Sequence, residues 1–497
     1  MAKNEIRVHY SGLVIFVTKM LSIATGMIFT ILLTREDITG ISKGQFGVWS
    51  NVSDLTGYFT LFAPAIPFWV MRFVARERRG AAKTGFLANL VLAVVSVTFY
   101  ILLVPLIAPA LNVSAYINLY LLASANMVNV YMLSVLEACL QAKKPQAVGY
   151  GLLLEELCKI FSAYLFMVVL RQQLLGAMAA LVIAIAVQIA YYIKLVSPEF
   201  KQEVQWSYVK EWLKGSTANV YNLIGNNIAA FIFILLFVYG GQTARGNYQA
   251  AAVIANIIIY STFLSYALYP KLLTSNSLED VTASLRMVLM FAVPMTAGVL
   301  AMPESFLTIL DESYREATPI LIILAVDALI ATLGSFYTSV VFGVEKLDEK
   351  AQISLRQLVR SNIFKVFTLP YIHSAITLPT TFYVLSNFAL NQSVQAGIYV
   401  AVINMVARLL MFSILYLIVR KTVSVAIPWT NIAKYILASI IMGCILFVIP
   451  HPRTISSTLG YTVSGGIIYL TLLMIMDKEA RILFKAVWHE IKFIVSR

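Results

Sequence analysis

Among the charged residues inside long apolar stretches, the cations Lys19, Lys159 and Arg408 and the acids Asp54 and Asp327 are the ones whose placement suggests chemistry. A charge near the middle of a membrane span costs about 2.5–3.5 kcal/mol on insertion scales, so each is a candidate for function. The cations suit an anion, to which ammonium and guanidinium groups donate charge-assisted hydrogen bonds. The acids suit a coupling proton or sodium ion. Lys19 is accompanied by Thr18, Ser22 and Thr25 and has no acid within a helical turn. It is read as a substrate-binding residue, against the alternative that it snorkels to the interface. Arg408 follows Asn404 by one turn and either contacts substrate or bonds a neighbouring helix. Lys159 follows Glu155 and Glu156 by four and three residues, with Glu137 at similar depth on the preceding span. That spacing favours an ion-pair network along one helix face over substrate binding. Asp54 lies beside Asn51 and Tyr58. Asn222 and Asn226, one turn apart, share a face, where they can bind hydroxyl groups or a neighbouring helix.

These residues need spans to hold them. Of 497 residues, 60% are hydrophobic and 12% charged, with mean hydropathy +0.82. Soluble globular chains carry about 25% charged residues. The composition therefore predicts an all-α polytopic membrane protein. Fourteen spans follow, at roughly 11–33, 46–69, 84–107, 117–141, 148–170, 175–195 and 217–239, then 247–269, 285–302, 317–342, 363–385, 394–418, 430–449 and 457–476. Each is near the ~20 residues that cross a ~30 Å hydrocarbon core as helix. The first run is too long for a signal h-region and lacks a cleavage site, so it stays as a helix. Beyond the last span, 477–497 places Ile482, Leu483, Val487 and Ile491 at helical spacing between Arg481, Lys485 and Lys492. That tail reads as an amphipathic helix on the membrane surface.

The net charge of +13 does not point to nucleic acid, because it resides in short loops. With the N-terminus inside, 28 of the 37 Lys and Arg fall inside. Outside fall only Arg35, Lys43, Arg171, Arg245, Arg315 and Arg453. This asymmetry places both termini in the cytoplasm. Cys139, Cys158 and Cys444 all lie in apolar runs and imply neither a disulfide framework nor a metal site. Asn112 and Asn391 head glycan-acceptor triplets in outer loops, a weak signal.

The chain also repeats itself. The stretch 215–273 is two apolar runs around a Gly-rich turn, and Gly246-Asn247-Tyr248 matches Gly44-Gln45-Phe46 at an offset of 202. Pro270 matches Pro67 at 203. An internal duplication of six spans follows. It gives an N-terminal lobe over 1–200, a second lobe over 201–425, two additional helices over 426–476 and the tail over 477–497. Six spans per repeat insert both copies the same way up, about a pseudo-twofold along the membrane normal.

Four segments, in order along nearly the whole chain, carry a resemblance: ISKGQFGVWSNVSDLTGYF from Ile41, RGNYQAAAVIANIIIYSTFLSYALYPKLL from Arg245, the stretch from Leu285 to Ile330, and VRKTVSVAIPWTNIAKYILAS from Val419. The chain resembles the multidrug/oligosaccharidyl-lipid/polysaccharide exporter superfamily, in its polysaccharide-transport, Wzx-like flippase branch. The resemblance implies two six-helix lobes around a central cavity. It implies a polyprenyl phosphate or diphosphate carrying sugars as substrate, moved to the outer leaflet of the cell membrane by alternating access. Membrane lipids and glycan-assembly proteins are the implied partners, and no enzyme activity or cofactor is implied beyond a coupling proton or sodium ion. In that setting Lys19, Arg408, Lys159, Asn222 and Asn226 become candidates for the anionic, sugar-bearing headgroup, and Asp54 and Asp327 for the coupling ion.

Two other readings compete. A cation-coupled multidrug exporter of the same superfamily would use embedded acids, whereas Lys19 and Arg408 and the fourteen-span count favour the flippase. A membrane glycosyltransferase would need acidic metal-binding motifs on a large outer loop. The acidic stretch 311–316 is short. No phosphate-binding GxxxxGK[ST] loop occurs.

Overall fold

The computed structural model describes residues 18, 21–265, 278–344, 361–389, 392–422, 426–449, 452–478 and 480–481. Lys19, Asn391 and the tail beyond residue 481 lie outside the described residues. All regular structure among them is helical. Each of the fourteen expected stretches contains α-helix there. Nine helices among the described residues are long and apolar enough to cross a membrane, so this is a multi-pass membrane protein.

The chain divides into two compact units, residues 1–246 with 385–393, and residues 247–384 with 394–497. The first unit opens with α1 (Leu21–Thr34). A short turn of helix ends on Gly40 at φ 71°, the left-handed conformation that glycine adopts without cost. Ser42 and Gln45 then form a capping box that starts α2 (Lys43–Phe59). Ser42 Oγ accepts from Gln45 N at 3.3 Å, and Gln45 Oε1 accepts from Ser42 N at 2.9 Å.

The second span, expected as one helix over 46–69, is broken. α2 ends at Phe59, and α3 (Pro67–Ala75) begins with proline at its first turn. Backbone carbonyls freed by a break must find partners inside a membrane protein. Here side chains supply them. Tyr131 Oη donates to Phe59 O at 2.8 Å. Asn89 Nδ2 and Ser134 Oγ donate to Ala63 O at 3.3 and 3.2 Å. Ser216 Oγ donates to Ala65 O at 2.9 Å. The break is therefore satisfied by α4 (Ala81–Ala110), α5 (Ile117–Lys143) and Ser216.

α6 (Pro145–Ala163) runs into a single π-helical turn over Tyr164–Val169, followed by α7 (Gln173–Val196). α4 is apolar on all sides, and Phe99, Leu102 and Leu106 on it stay exposed, as a lipid-facing helix requires. The short α8 (Ser207–Gly215) buries Trp212 completely, edge-on to Phe73.

α9 (Thr217–Ile259) holds both arms of the Gly-rich hairpin, joined through Gly241 at φ 85°, ψ 172°. That region of backbone space is essentially reserved for glycine, so Gly241 sets the bend.

The second unit comprises α10 (Leu278–Ala301), α11 (Pro303–Leu310), α12 (Thr318–Val344), α13 (Asn362–Phe388), α14 (Ser393–Thr422), α15 (Trp429–Val448) and α16 (Ile455–Met476). Pro294 inside α10 has no N–H to give the carbonyl of Met290 one turn earlier. Tyr469 of α16 donates to that carbonyl instead, at 2.7 Å. The base of the α15–α16 pair is tied by buried Asp477, which accepts from Asn431 Nδ2 at 2.9 Å and lies 3.7 Å from Lys434 Nζ. Phe336, Tyr435, Met442 and Leu473 share the apolar core of this unit.

Candidate functional site

Asp54, Lys159, Asp327 and Arg408 each have a charged partner, which lies on another helix for every one except Lys159. Asp54 leaves α2 toward Arg245, on the second arm of α9. The contact is a two-pronged fork, Nε to Oδ2 at 2.8 Å and a terminal nitrogen to Oδ1 at 2.9 Å. The guanidinium side chain is 4% exposed and the carboxylate 14%. Planar guanidinium matches carboxylate in this geometry, which a lysine could not reproduce. The arginine also stacks over Phe233, 4.8 Å from the ring centre. Arg245, expected in an outer loop, is instead helical and buried.

The pair sits beside a close backbone crossing. A side-chain carbon on Gly47 would collide with the backbone of Gln242, and one on Gly246 with the carbonyl of Lys43. Small residues allow helix backbones to meet at this distance. The start of α2 thus touches the segment that the sequence offset pairs with it, Gly246 aligning with Gly44.

Lys159 lies in a network on α6. Its ammonium is 2.7 Å from Glu156 Oε2 and 3.3 Å from Glu155 Oε1. All three residues are buried. Two carboxylates face one ammonium, leaving a surplus negative charge. Ser22 and Thr25 of α1 donate to Glu156, at 2.6 and 2.5 Å, and so spread that charge. This is the ion-pair arrangement the i, i+3 and i, i+4 spacing favoured, extended to a second helix.

In the second unit, Arg408 of α14 and Asp327 of α12 come together. Arg408 Nε lies 2.8 Å from Asp327 Oδ1 without the alignment of a hydrogen bond, so the contact is ionic. Asn404 Nδ2 approaches Oδ2 of the same carboxylate at 3.4 Å. The carboxylate is 8% exposed and the arginine side chain 37%, with its Nε buried. His373 of α13 neighbours Asn404 and Arg408. The sequence offered Arg408 to substrate and Asp327 to an ion, and the structure makes them one pair.

Asn222 and Asn226 lie on one face, with Asn226 Nδ2 donating to Asn222 O at 3.0 Å and to its Oδ1 at 3.2 Å. Asn226 is exposed, so these amides present a polar strip. Lys19 lies outside the described residues. Among them, no group of three His, Cys, Asp or Glu is placed to hold a metal ion. Arg245 and His373 were not singled out as site residues in the sequence. Ser22, Thr25 and Glu156 were, but in separate groups, and their mutual contact had no readable signal.

Solved structures share this helical fold. No protein-family profile matches the sequence, and no curated protein matches it. A lipid II flippase, MurJ, in an inward closed conformation superposes at TM-score 0.59 with 14% identity, over 93% of this chain and 98% of that one. An inward-facing multidrug resistance MATE family transporter of the MOP superfamily gives 0.58 at 11% identity, over 80% and 94%. A Vibrio cholerae MATE transporter, VcmN, gives 0.54 at 13%, over 84% and 96%. The chain shares the helical fold of these solved transporters.

Proposed function

We propose that the protein is a flippase that moves a polyprenyl-phosphate- or diphosphate-linked oligosaccharide across the cytoplasmic membrane, for polysaccharide or glycoconjugate assembly. It works by alternating access, with cytoplasmic termini. The observation that carries this reading is the extent of similarity. MurJ accounts for 93% of the chain, whereas the MATE transporters account for 80–84%. The chain therefore matches a lipid II flippase over nearly its whole length and the MATE transporters over less of it.

The chemistry agrees. Asp54 and Asp327, the acids that a cationic drug or coupling ion would need, are each matched by an arginine. Arg408, whose side chain is partly exposed, is a candidate for an anionic headgroup, and Asn222 with Asn226 offers amides to sugar hydroxyls. Lys19 is proposed as the principal headgroup cation.

The test is transfer in proteoliposomes containing a fluorescent diphosphate-linked oligosaccharide, with outer-leaflet substrate scored by enzymatic cleavage of the exposed glycan. Wild-type protein should equilibrate the substrate between leaflets, and Lys19→Ala should not, while inserting normally. The second reading, a cation-coupled multidrug exporter, is supported by the MATE similarity. It predicts the reverse: ion-driven efflux of a cationic dye and no movement of the glycolipid.

A further inference from the structure

A groove of about 660 Å³ lies between α13 and α14, at the end that the charge asymmetry assigns to the cytoplasm. Its walls are apolar, built from Phe364, Leu369, Ile372, Ile414, Leu417 and Ile418. Leu417 is 55% exposed and Ile372 40%, so the groove opens sideways toward lipid. Its mouth is of a different nature. Lys365 and Lys421 stand there with Asn362 and Thr422. Lys365 Nζ donates to Asn362 Oδ1 at 2.9 Å, and Asn362 Nδ2 donates to Thr422 Oγ1 at 3.3 Å, bridging the two helices. Both lysines are exposed, and neither is in an ion pair among the described residues.

Two ammonium groups above an apolar slot match an amphiphile with an anionic head. The length of the slot narrows the choice. Ten residues separate Asn362 from Ile372, a rise of roughly 15 Å along a helix. That is half of a hydrocarbon core of ~30 Å, the depth of one leaflet. A polyprenyl chain is far longer than one leaflet, whereas the acyl chain of a phospholipid fits it. The cytoplasmic leaflet is also the one whose surface charge attracts basic clusters.

We infer that the α13–α14 groove is a binding site for an anionic phospholipid of the cytoplasmic leaflet. Its phosphate contacts Lys365 and Lys421, and one acyl chain lies along Leu369, Ile372 and Ile414. The inference does not depend on what the protein transports.

Native mass spectrometry of the full-length protein tests it, with phosphatidylglycerol and phosphatidylcholine of identical chains supplied in equal amounts. Wild-type protein should retain phosphatidylglycerol preferentially. Lys365→Ala or Lys421→Ala should lower its occupancy about fivefold, and the double change about thirtyfold, from the ~1 kcal/mol that each basic residue contributes at a charged membrane surface. Lys365→Arg with Lys421→Arg should keep it. Ile414→Trp, which fills the slot and leaves the charges, should lose it, so the result does not rest on a variant that fails to fold. Unchanged preference in the double alanine variant would overturn the inference. So would displacement of the phospholipid by equimolar polyprenyl phosphate, or by millimolar inorganic phosphate, since the site would then select another anion.

Discussion

Removing either member of the Asp54–Arg245 pair should cost about 3–5 kcal/mol, because the remaining charge is left buried without compensation. The structure sets the size of the effect. With 4% and 14% of the two side chains exposed, water cannot replace the lost partner. The fork also supplies two hydrogen bonds, at 2.8 and 2.9 Å, so no single neighbour can take over. The assay is equilibrium unfolding in mixed micelles of rising SDS content, applied to Asp54→Ala, Arg245→Ala and the double variant. The double should be less destabilised than the sum of the singles by about 2 kcal/mol or more, since it leaves no stranded charge. A second reading comes from Thr243→Cys, whose position packs near Gly44. Its maleimide labelling should quicken in either single variant as the crossing loosens. Singles within about 0.5 kcal/mol of wild type, or an additive double, would refute the argument that this pair locks α2 to α9.

Three further outcomes are expected. Lys159→Met leaves Glu155 and Glu156 facing each other and should destabilise by about 3–5 kcal/mol, while Glu156→Gln added to it should recover part of the loss in the same micelle titration. Tyr469→Phe leaves the Met290 carbonyl without a donor and should cost about 1–3 kcal/mol; in a Pro294→Ala background, where the backbone N–H returns, the same change should cost clearly less. Gly241→Ala forces a side chain into φ 85°, ψ 172° and should lose about 1–3 kcal/mol, whereas Gly57→Ala, with open space around it, should be neutral or slightly stabilising in thermal melts.

Much of the helical framework was legible because apolar length and the 3.6-residue period are local properties. The same holds for short-range polar geometry. The Lys159 trio and the Asn222–Asn226 pair appear in the structure as their spacing implied. What escaped was the choice of neighbour. Asp54 and Arg245 are 191 residues apart, and nothing in either local segment announces the other. The outer-loop assignment of Arg245 came from its place between two apolar runs, whereas the bend at Gly241 leaves it helical and inside. The break after Phe59 did have a local signal, Pro64 and Pro67, which cannot continue the hydrogen bonding of a helix. What the local segment does not show is the set of distant side chains, Asn89, Tyr131, Ser134 and Ser216, that satisfies the freed carbonyls.

The contact between the start of α2 and the second arm of α9 bears on how the gene has been free to change. A six-span ancestor working as a symmetric pair would have set this segment against itself across the twofold, with one glycine serving both partners. In the duplication that the 202-residue offset implies, that position would now be two codons, Gly44 and Gly246, free to mutate independently. Backbone contact denies a side chain to Gly47 and Gly246, so divergence at either is limited by the segment it crosses. Among descendants, these positions should exchange only for the smallest residues, and larger ones should arrive together with changes in the opposite copy.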